Sequence, residues 1–479
     1  MISVTLKDRP MARISVIEAN RSPPKFRHGS ICRDEIDIRY RHVVLPALFF
    51  RSPANRLIDL MRIVGAAAHV DRRIRRRPSI CWGRDLEVAI PVSEPDFWSE
   101  ISERLVGVLN LLSGDNWSFV FRKIVEQVDV PKQPDLEFPV KGELALAYSN
   151  GLDSFSSVRL VASGVVPLSD GVQRKRDLVL VTTGREINSE LRQSLTKFGY
   201  RARQVSVPFS IRRAGTGFEL REPSFRTRAF VFQTMAAVAA SQSEGDIVVV
   251  PESGQGSLGP WLTVTGQEAP DIRTHPIFTS ALADLLEPIL GRRIRFEHPH
   301  FWETKGQTLT RLVANRLEDG WQDTFSCAVQ VRHQQTPGPH LQCGLCPNCL
   351  LRGQSLWAAG LQEPDHKYDY GRGPSRSRAP GENEKMKRRI AQGLLPLVEF
   401  AQLRSTPLMA RTTDRQIARF AREVQADLKG LFPHNMRVDY KTMTRRTDDV
   451  INTHRHELSD FLSSRPSGSQ IRQLGGALL

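Results

Sequence analysis

Between residues 140 and 320 the chain alternates short apolar runs with stretches of helical periodicity, and this alternation restricts the fold more than any other feature. The runs 144–148 (LALAY), 178–183 (LVLVTT), 204–207 and 246–251 (DIVVVP) have the length and apolar character of buried strands. Stretches at 189–198, 225–240, 278–290 and 305–315 read as helices. Strands separated by helices pair in parallel and carry helices on their faces, so the spacing predicts an α/β fold with a parallel sheet and helices on both faces. Ligands bind such sheets outside the carboxyl ends of the strands, which singles out the turns at 149–154, 183–185 and 252–256.

The first turn reads Ser149-Asn150-Gly151-Leu152-Asp153-Ser154, and Phe155, Val158, Leu160 and Val161 then suggest a helix. Strand, small-residue loop and helix N-terminus together make an anion site, because free backbone amides and the positive end of the helix dipole converge there. Gly151 lets the backbone approach a ligand, and the Ser149 and Ser154 hydroxyls can donate to phosphate oxygens. No lysine follows the glycine, so this is not the Gly-Lys-Ser/Thr phosphate loop. The turn resembles instead the PP-loop of the ATP pyrophosphatases, Ser-Gly-Gly-x-Asp-Ser, with Asn150 in place of the first glycine. Asn tolerates left-handed backbone better than other non-glycine residues. An ordinary β-turn-α connection is the plain alternative.

Cys343-Gly344-Leu345-Cys346-Pro347-Asn348-Cys349 sets three thiols at C-x-x-C-x-x-C spacing, with Cys327 upstream as a fourth. Four thiolates suit tetrahedral Zn²⁺ in a closed, structural site, and Gly344 permits the tight knuckle between ligands. An iron–sulfur cluster is the competing use of the same cysteines.

A PP-loop followed by a late Cys₄ cluster resembles the 7-cyano-7-deazaguanine synthase (QueC) family, and the likeness covers about residues 144–357. Thr183-Gly184-Arg185 and Glu190 resemble the family's Tyr-Gly-Gln-Arg turn and the glutamate after it. Residues 223–228 (PSFRTR) are similar to its Pro-x-Arg-Asn segment, and Glu303-Thr304-Lys305 to its Lys-opened helix. Ser326, Cys327, Cys343, Gly344, Cys346, Cys349 and Arg352 match its ending. No clear copy of its Tyr-Pro-Asp substrate segment follows the DIVVVP strand. The resemblance implies an AMP- and pyrophosphate-forming carbon–nitrogen ligase that uses ATP and Mg²⁺ to adenylate a 7-deazaguanine carboxylate and then to amidate it, with dehydration to the nitrile as a second activation. Ser149, Asn150, Gly151, Asp153, Ser154, Gly184 and Arg185 would bind the nucleotide. Arg226 and Lys305 would face developing charge, and Asp153 would hold Mg²⁺ or orient the loop.

Residues 1–140 read as an N-terminal α+β extension, 141–360 as the PP-loop domain, 361–383 as a Pro/Gly/Ser/Arg linker and 384–479 as a helical C-terminal region. Helices are predicted from Ser52-Pro53 through Leu57, Leu60, Met61 and Val64, and over 95–112. The arginine run 72–77 (RRIRRR) is predicted to be a solvated face. Thr413 and Gln416 read as a capping box, with Ile417, Phe420, Val424, Leu428 and Leu431 on one face, and a further helix is predicted over 447–463. Lys and Arg exceed Asp and Glu by 67 to 52, a net charge of +15 that favours polyanionic partners or nucleotides. No apolar run is long enough for a bilayer, and the opening residues lack a signal peptide's apolar block, so no membrane association and a cytoplasmic location are expected. Enlarged relatives of this family occur in anti-phage defence operons, including the Qat systems, which implies partner proteins that could supply the acceptor amine. Two rival readings remain: a tRNA-thiolating PP-loop enzyme with an iron–sulfur cluster, and a non-catalytic, zinc-stapled nucleotide or nucleic-acid binding protein.

Overall fold

The computed structural model describes residues 11–17, 34–37, 54–77, 82–124, 142–182, 202–206, 222–263, 269–327, 341–363, 367–368, 382–467 and 469–478. Its strands form two sheets. The first contains β1 (Met11–Ile17), β2 (Asp34–Asp37), β3 (Asp85–Val92) and β4 (Asn116–Lys123), in the order β2-β1-β3-β4. The second contains β5 (Gly142–Ala147), β6 (Leu178–Thr182), β7 (Ala202–Ser206), β8 (Glu244–Val249) and β9 (Arg295–Glu297), in the order β7-β6-β5-β8-β9. Every pairing in both sheets is parallel.

Side-chain alternation shows why the second sheet needs helices on both faces. Leu144, Leu146, Leu178, Leu180, Ile247 and Val249 pack with Val158 and Val161 of α4 (Leu152–Ala162), the helix that follows β5. Ala145, Val179, Val181 and Val248 join a different core, which includes Phe230, Val231 and Met235 of α5 (Arg228–Gln242). Neighbouring residues of a strand point to opposite faces, so apolar residues at every position bury both.

The N-terminal region was expected as α+β, yet its described strands are all parallel, with α1 (Ala54–Arg73) before β3 and α2 (Pro95–Glu100) and α3 (Ser102–Ser113) between β3 and β4. The single helix expected over 95–112 is interrupted at Ile101, and Trp98 on α2 donates its indole N–H to Asp59 of α1 at 3.2 Å.

The arginine run corrects the expectation of a solvated face. Arg75 and Arg77 are exposed, but Arg73 and Arg76 are buried. Arg76 reaches Asp115 at 2.6 Å and Asp71 at 3.1 Å, and Arg84 reaches the same carboxylates at 2.5 and 2.8 Å. Two guanidiniums against two carboxylates cancel charge inside the protein, which makes their burial tolerable. Asp71 also accepts from the Thr227 backbone N–H at 2.8 Å, and Glu222 accepts from that of Arg76 at 2.7 Å. These bonds tie the first sheet's unit to the start of α5.

The C-terminal helices are α10 (Glu382–Ala401), α11 (Pro407–Gln425), α12 (Tyr440–Ser464) and α13 (Gln470–Leu478), once α6 (Gly254–Leu262), α7 (Pro276–Leu290), α8 (Lys305–Ala314) and α9 (Pro347–Ala358) are counted before them. The expected capping box is corrected: α11 starts earlier, with Thr406 accepting from the Met409 amide at 3.2 Å and Pro407 in its first turn. Thr413 lies inside the helix and donates to Leu403 O. Ile417, Phe420 and Val424 are buried as expected, whereas Leu428, past the helix end, is 98% exposed. The appendage is part of the core: His454 of α12 bonds to Gln255 of α6, Gln354 of α9 and Leu397 O of α10 at 2.8–3.0 Å. Among the described residues no helix is long and apolar enough to cross a membrane.

Candidate functional site

The chain leaves β5 for β6 and β7, then returns to place β8 on β5's other side. This reversal is a topological switch point, where the turns after β5 and β8 border one crevice. Tyr148 N–H continues the ladder to Val181 O at 2.8 Å, and the turn follows. Asn150 takes the left-handed conformation with φ 55, whereas Gly151 has an ordinary φ of −80. The conformational demand therefore falls on the asparagine. Ser149 Oγ and Ser154 Oγ lie 3.1 Å apart across the turn. No side chain caps α4, so its first amides, which have no intrahelical acceptor, remain for an anion.

Three helix N-termini meet here. Lys305, at the start of α8, pairs with Asp153 in the first turn of α4 at 2.8 Å. Its helix is fixed by a reciprocal capping box between Thr304 and Gln307. Gln255 in α6 accepts from the Lys305 amide at 2.7 Å, and Gly254 N–H donates to Glu303 O at 2.8 Å. A Cβ on Gly254 would stand 2.6 Å from Phe301 O, so only glycine permits this approach.

Glu252 joins this group electrostatically. Burial first, and then the negative charge of Asp153, push its carboxyl pKa up to about 7, against the opposing effect of Lys305 and Arg273. Burial disfavours the Lys305 ammonium, but Asp153 and Glu252 outweigh it and hold its pKa above the usual lysine value.

The structure thus brings together Ser149, Asn150, Gly151, Asp153, Ser154 and Lys305. Arg226 sits apart from the Asp153–Lys305 pair. Its guanidinium lies 4.8 Å from the Trp82 ring centroid and 3.8 Å from Asp271, which pairs with Arg273 at 2.6 Å. Trp82 also carries Arg76 at 5.1 Å, so the buried ion cluster and Arg226 share one indole. Gly184, Arg185 and Glu190 lie outside the described residues. The sequence singled out the turn 252–256 without assigning Glu252 a role, and it gave no sign of Asp271 or Arg273. The position of Glu252 directly after the apolar run 246–251 was the available signal.

Cys327, Cys343, Cys346 and Cys349 are buried and in no disulfide, with all four sulfurs within 4.8 Å of one another. Cys343 and Cys349 sulfurs are 3.9 Å apart. Ligands at about 2.3 Å from a tetrahedral centre stand roughly 3.8 Å from one another, so four thiolate donors here fit a metal ion. The knuckle has Gly344 at φ 72, and the amides of Leu345 and Cys346 donate to Cys343 Sγ. Buried Arg352 braces it, bonding Glu363 twice at 2.9 Å and Thr324 at 2.7 Å. Phe325, two residues before Cys327, donates its N–H to Asn150 O at 2.9 Å. The cysteine segment thus directly supports the turn after β5.

A separate cleft of about 710 Å³ opens beside α8, lined by Glu303, Gln307, Arg311, Trp357, His456 and Glu457 among others. Neither Asp153 nor Lys305 lines it. The chain matches no protein-family model and no curated protein. It is a mixed α/β protein with parallel sheets flanked by helices and a buried cluster of four cysteines.

Proposed function

We propose that this chain is a QueC-like, PP-loop ligase that uses ATP to adenylate a 7-deazaguanine carboxylate and joins it to an amine. The observation that carries the reading is the Asp153–Lys305 pair at an uncapped helix N-terminus on the switch point of a parallel sheet. A carboxylate is a poor electrophile, and ATP supplies the adenylyl group that turns its oxygen into a leaving group. The amides of Leu152, Asp153 and Ser154 and the two serine hydroxyls bind phosphate oxygens. Lys305 stabilises negative charge as it develops, a role worth about 3–4 kcal/mol for one well-placed donor. Asp153 would hold the Mg²⁺ that accompanies the nucleotide, and its contact with Lys305 orients that lysine. Arg226, held by Trp82 and Asp271 apart from that pair, would bind an anionic group of the substrate. The four thiolates would hold Zn²⁺ as a closed structural site, keeping Phe325 against Asn150.

The test is purified protein with ATP, Mg²⁺ and 7-carboxy-7-deazaguanine, followed for AMP release. AMP above the rate without the acid is expected, and its absence would sink the reading. Metal analysis should give one zinc per chain and a colourless protein; a brown protein containing iron favours the thiolation reading. A role in anti-phage defence, with a partner-protein amine as acceptor, predicts added deazaguanine mass on a co-expressed partner by intact-mass measurement.

A further inference from the structure

A row of four arginines on α11 has no part in the chemistry above. Arg411, Arg415, Arg419 and Arg422 are all exposed. Spacings of four, four and three residues place them in one narrow sector of the helix, along a line roughly 16 Å long at 1.5 Å per residue. The opposite side of α11 is buried through Thr413, Ile417, Phe420, Ala421 and Val424. Phe420 meets Trp261 and His275 edge-on at 5.9 and 4.7 Å. The helix cannot roll, so the row is held outward.

Three features separate this row from an ordinary solvated face. Exposed helices usually interleave acids and bases at these spacings, whereas like charges so placed repel. Asp414, the one acid between Arg411 and Arg422, is bound to Arg404 at 2.6 Å; Glu423, four residues after Arg419, is exposed, and among the described residues no carboxylate forms an ion pair with any of the four. All four are arginine, whose planar fork grips phosphate oxygens in pairs, rather than lysine.

We propose that this row is a docking surface for the phosphate backbone of a nucleic acid, recognised by charge and without sequence preference. A fixed line of single-sign charge complements a line of phosphates. An anionic bilayer is a poorer match, because binding in its interface needs an apolar face as well, and that of α11 is spent on the protein core. Leu408 is the one large apolar side chain on the arginine side, too little to insert.

Binding of the full chain to a fluorescein-labelled DNA duplex of about 24 base pairs, read by anisotropy, tests this. Four neutralised phosphates contribute a slope of about −3.6 to log K against log salt, or roughly 150-fold weaker binding from 50 to 200 mM salt. Replacing all four arginines by glutamine should flatten the slope by that amount, while replacing them by lysine should leave it close to the parent's. An unchanged melting curve shows that the variants are folded. No duplex binding by the parent chain at 50 mM salt, a slope that survives the glutamine changes, or binding to phosphatidylserine vesicles with none to the duplex would each overturn the proposal.

Discussion

Lys305→Met removes an ammonium 2.8 Å from Asp153 and keeps most of the side chain's apolar volume. At that distance and an effective dielectric of ~20 the gross attraction is roughly 6 kcal/mol, and desolvation of both partners takes back much of it. Truncating one partner of a buried pair costs about 3–5 kcal/mol, because the other charge is left alone. The Asp153 side chain is 26% exposed, so water recovers part of that loss and the expected destabilisation is about 2–3 kcal/mol. Glu252 loses the same cation, so its carboxyl should titrate still higher than about 7.

Adding Asp153→Asn removes the orphaned charge and should restore about 1–3 kcal/mol. Urea midpoints report stability, and AMP release in the same preparations reports activity. If Lys305 stabilises developing charge, the single variant releases AMP about 10²–10³ times more slowly under conditions where it is fully folded, and the double variant, which also lacks the Mg²⁺ ligand, is slower still. A folded single variant that releases AMP within about tenfold of the parent would refute the catalytic role. An unchanged urea midpoint in the single variant would refute the pair itself.

Asp115→Asn leaves two buried guanidiniums facing Asp71, with Glu222 as a further counter-charge for Arg76 only, and a loss of about 3–5 kcal/mol in urea unfolding is expected; less than about 1 kcal/mol would show that the cluster relaxes or hydrates. Asn150→Val forces a β-branched residue to φ 55, so a loss of about 1–2 kcal/mol and slower AMP release are expected, while Asn150→Gly should be tolerated. Burial, opposed by bonds from Thr304, Gln354 and Gln255, pushes the Glu457 carboxyl up to about 7 from 4.5. A raised folded-state value means that its stabilisation is complete below pH 4.5 and lost as pH rises through about 7. Glu457→Gln should therefore gain stability over the parent between pH 5 and 8, and parallel melting-temperature curves would contradict this.

Local chemistry wrote the legible part of this molecule. Continuous apolar runs predicted β5, β6 and β8, because a strand buried on both faces has no polar side to show. The spacing of Cys343, Cys346 and Cys349 predicted their cluster, because a knuckle brings near neighbours round one point. Asn150 was legible as a left-handed residue for the same local reason. Helix limits were less so: α11 starts at Pro407 rather than near Thr413, since Thr406 is the residue whose hydroxyl meets a free amide.

The sequence by itself therefore determined the parallel sheet, the turn after β5 and the fourfold thiol cluster. Tertiary structure alone decided the partners of the charges. Arg73 and Arg76 look like their solvated neighbours in RRIRRR until Asp71 and Asp115 are seen inside with Arg76. Lys305 meets Asp153, and Arg226 leans on Trp82 and Asp271, across long stretches of chain. A charge enters a protein interior only beside its counter-charge, and which counter-charge that is depends on how sheets and helices pack.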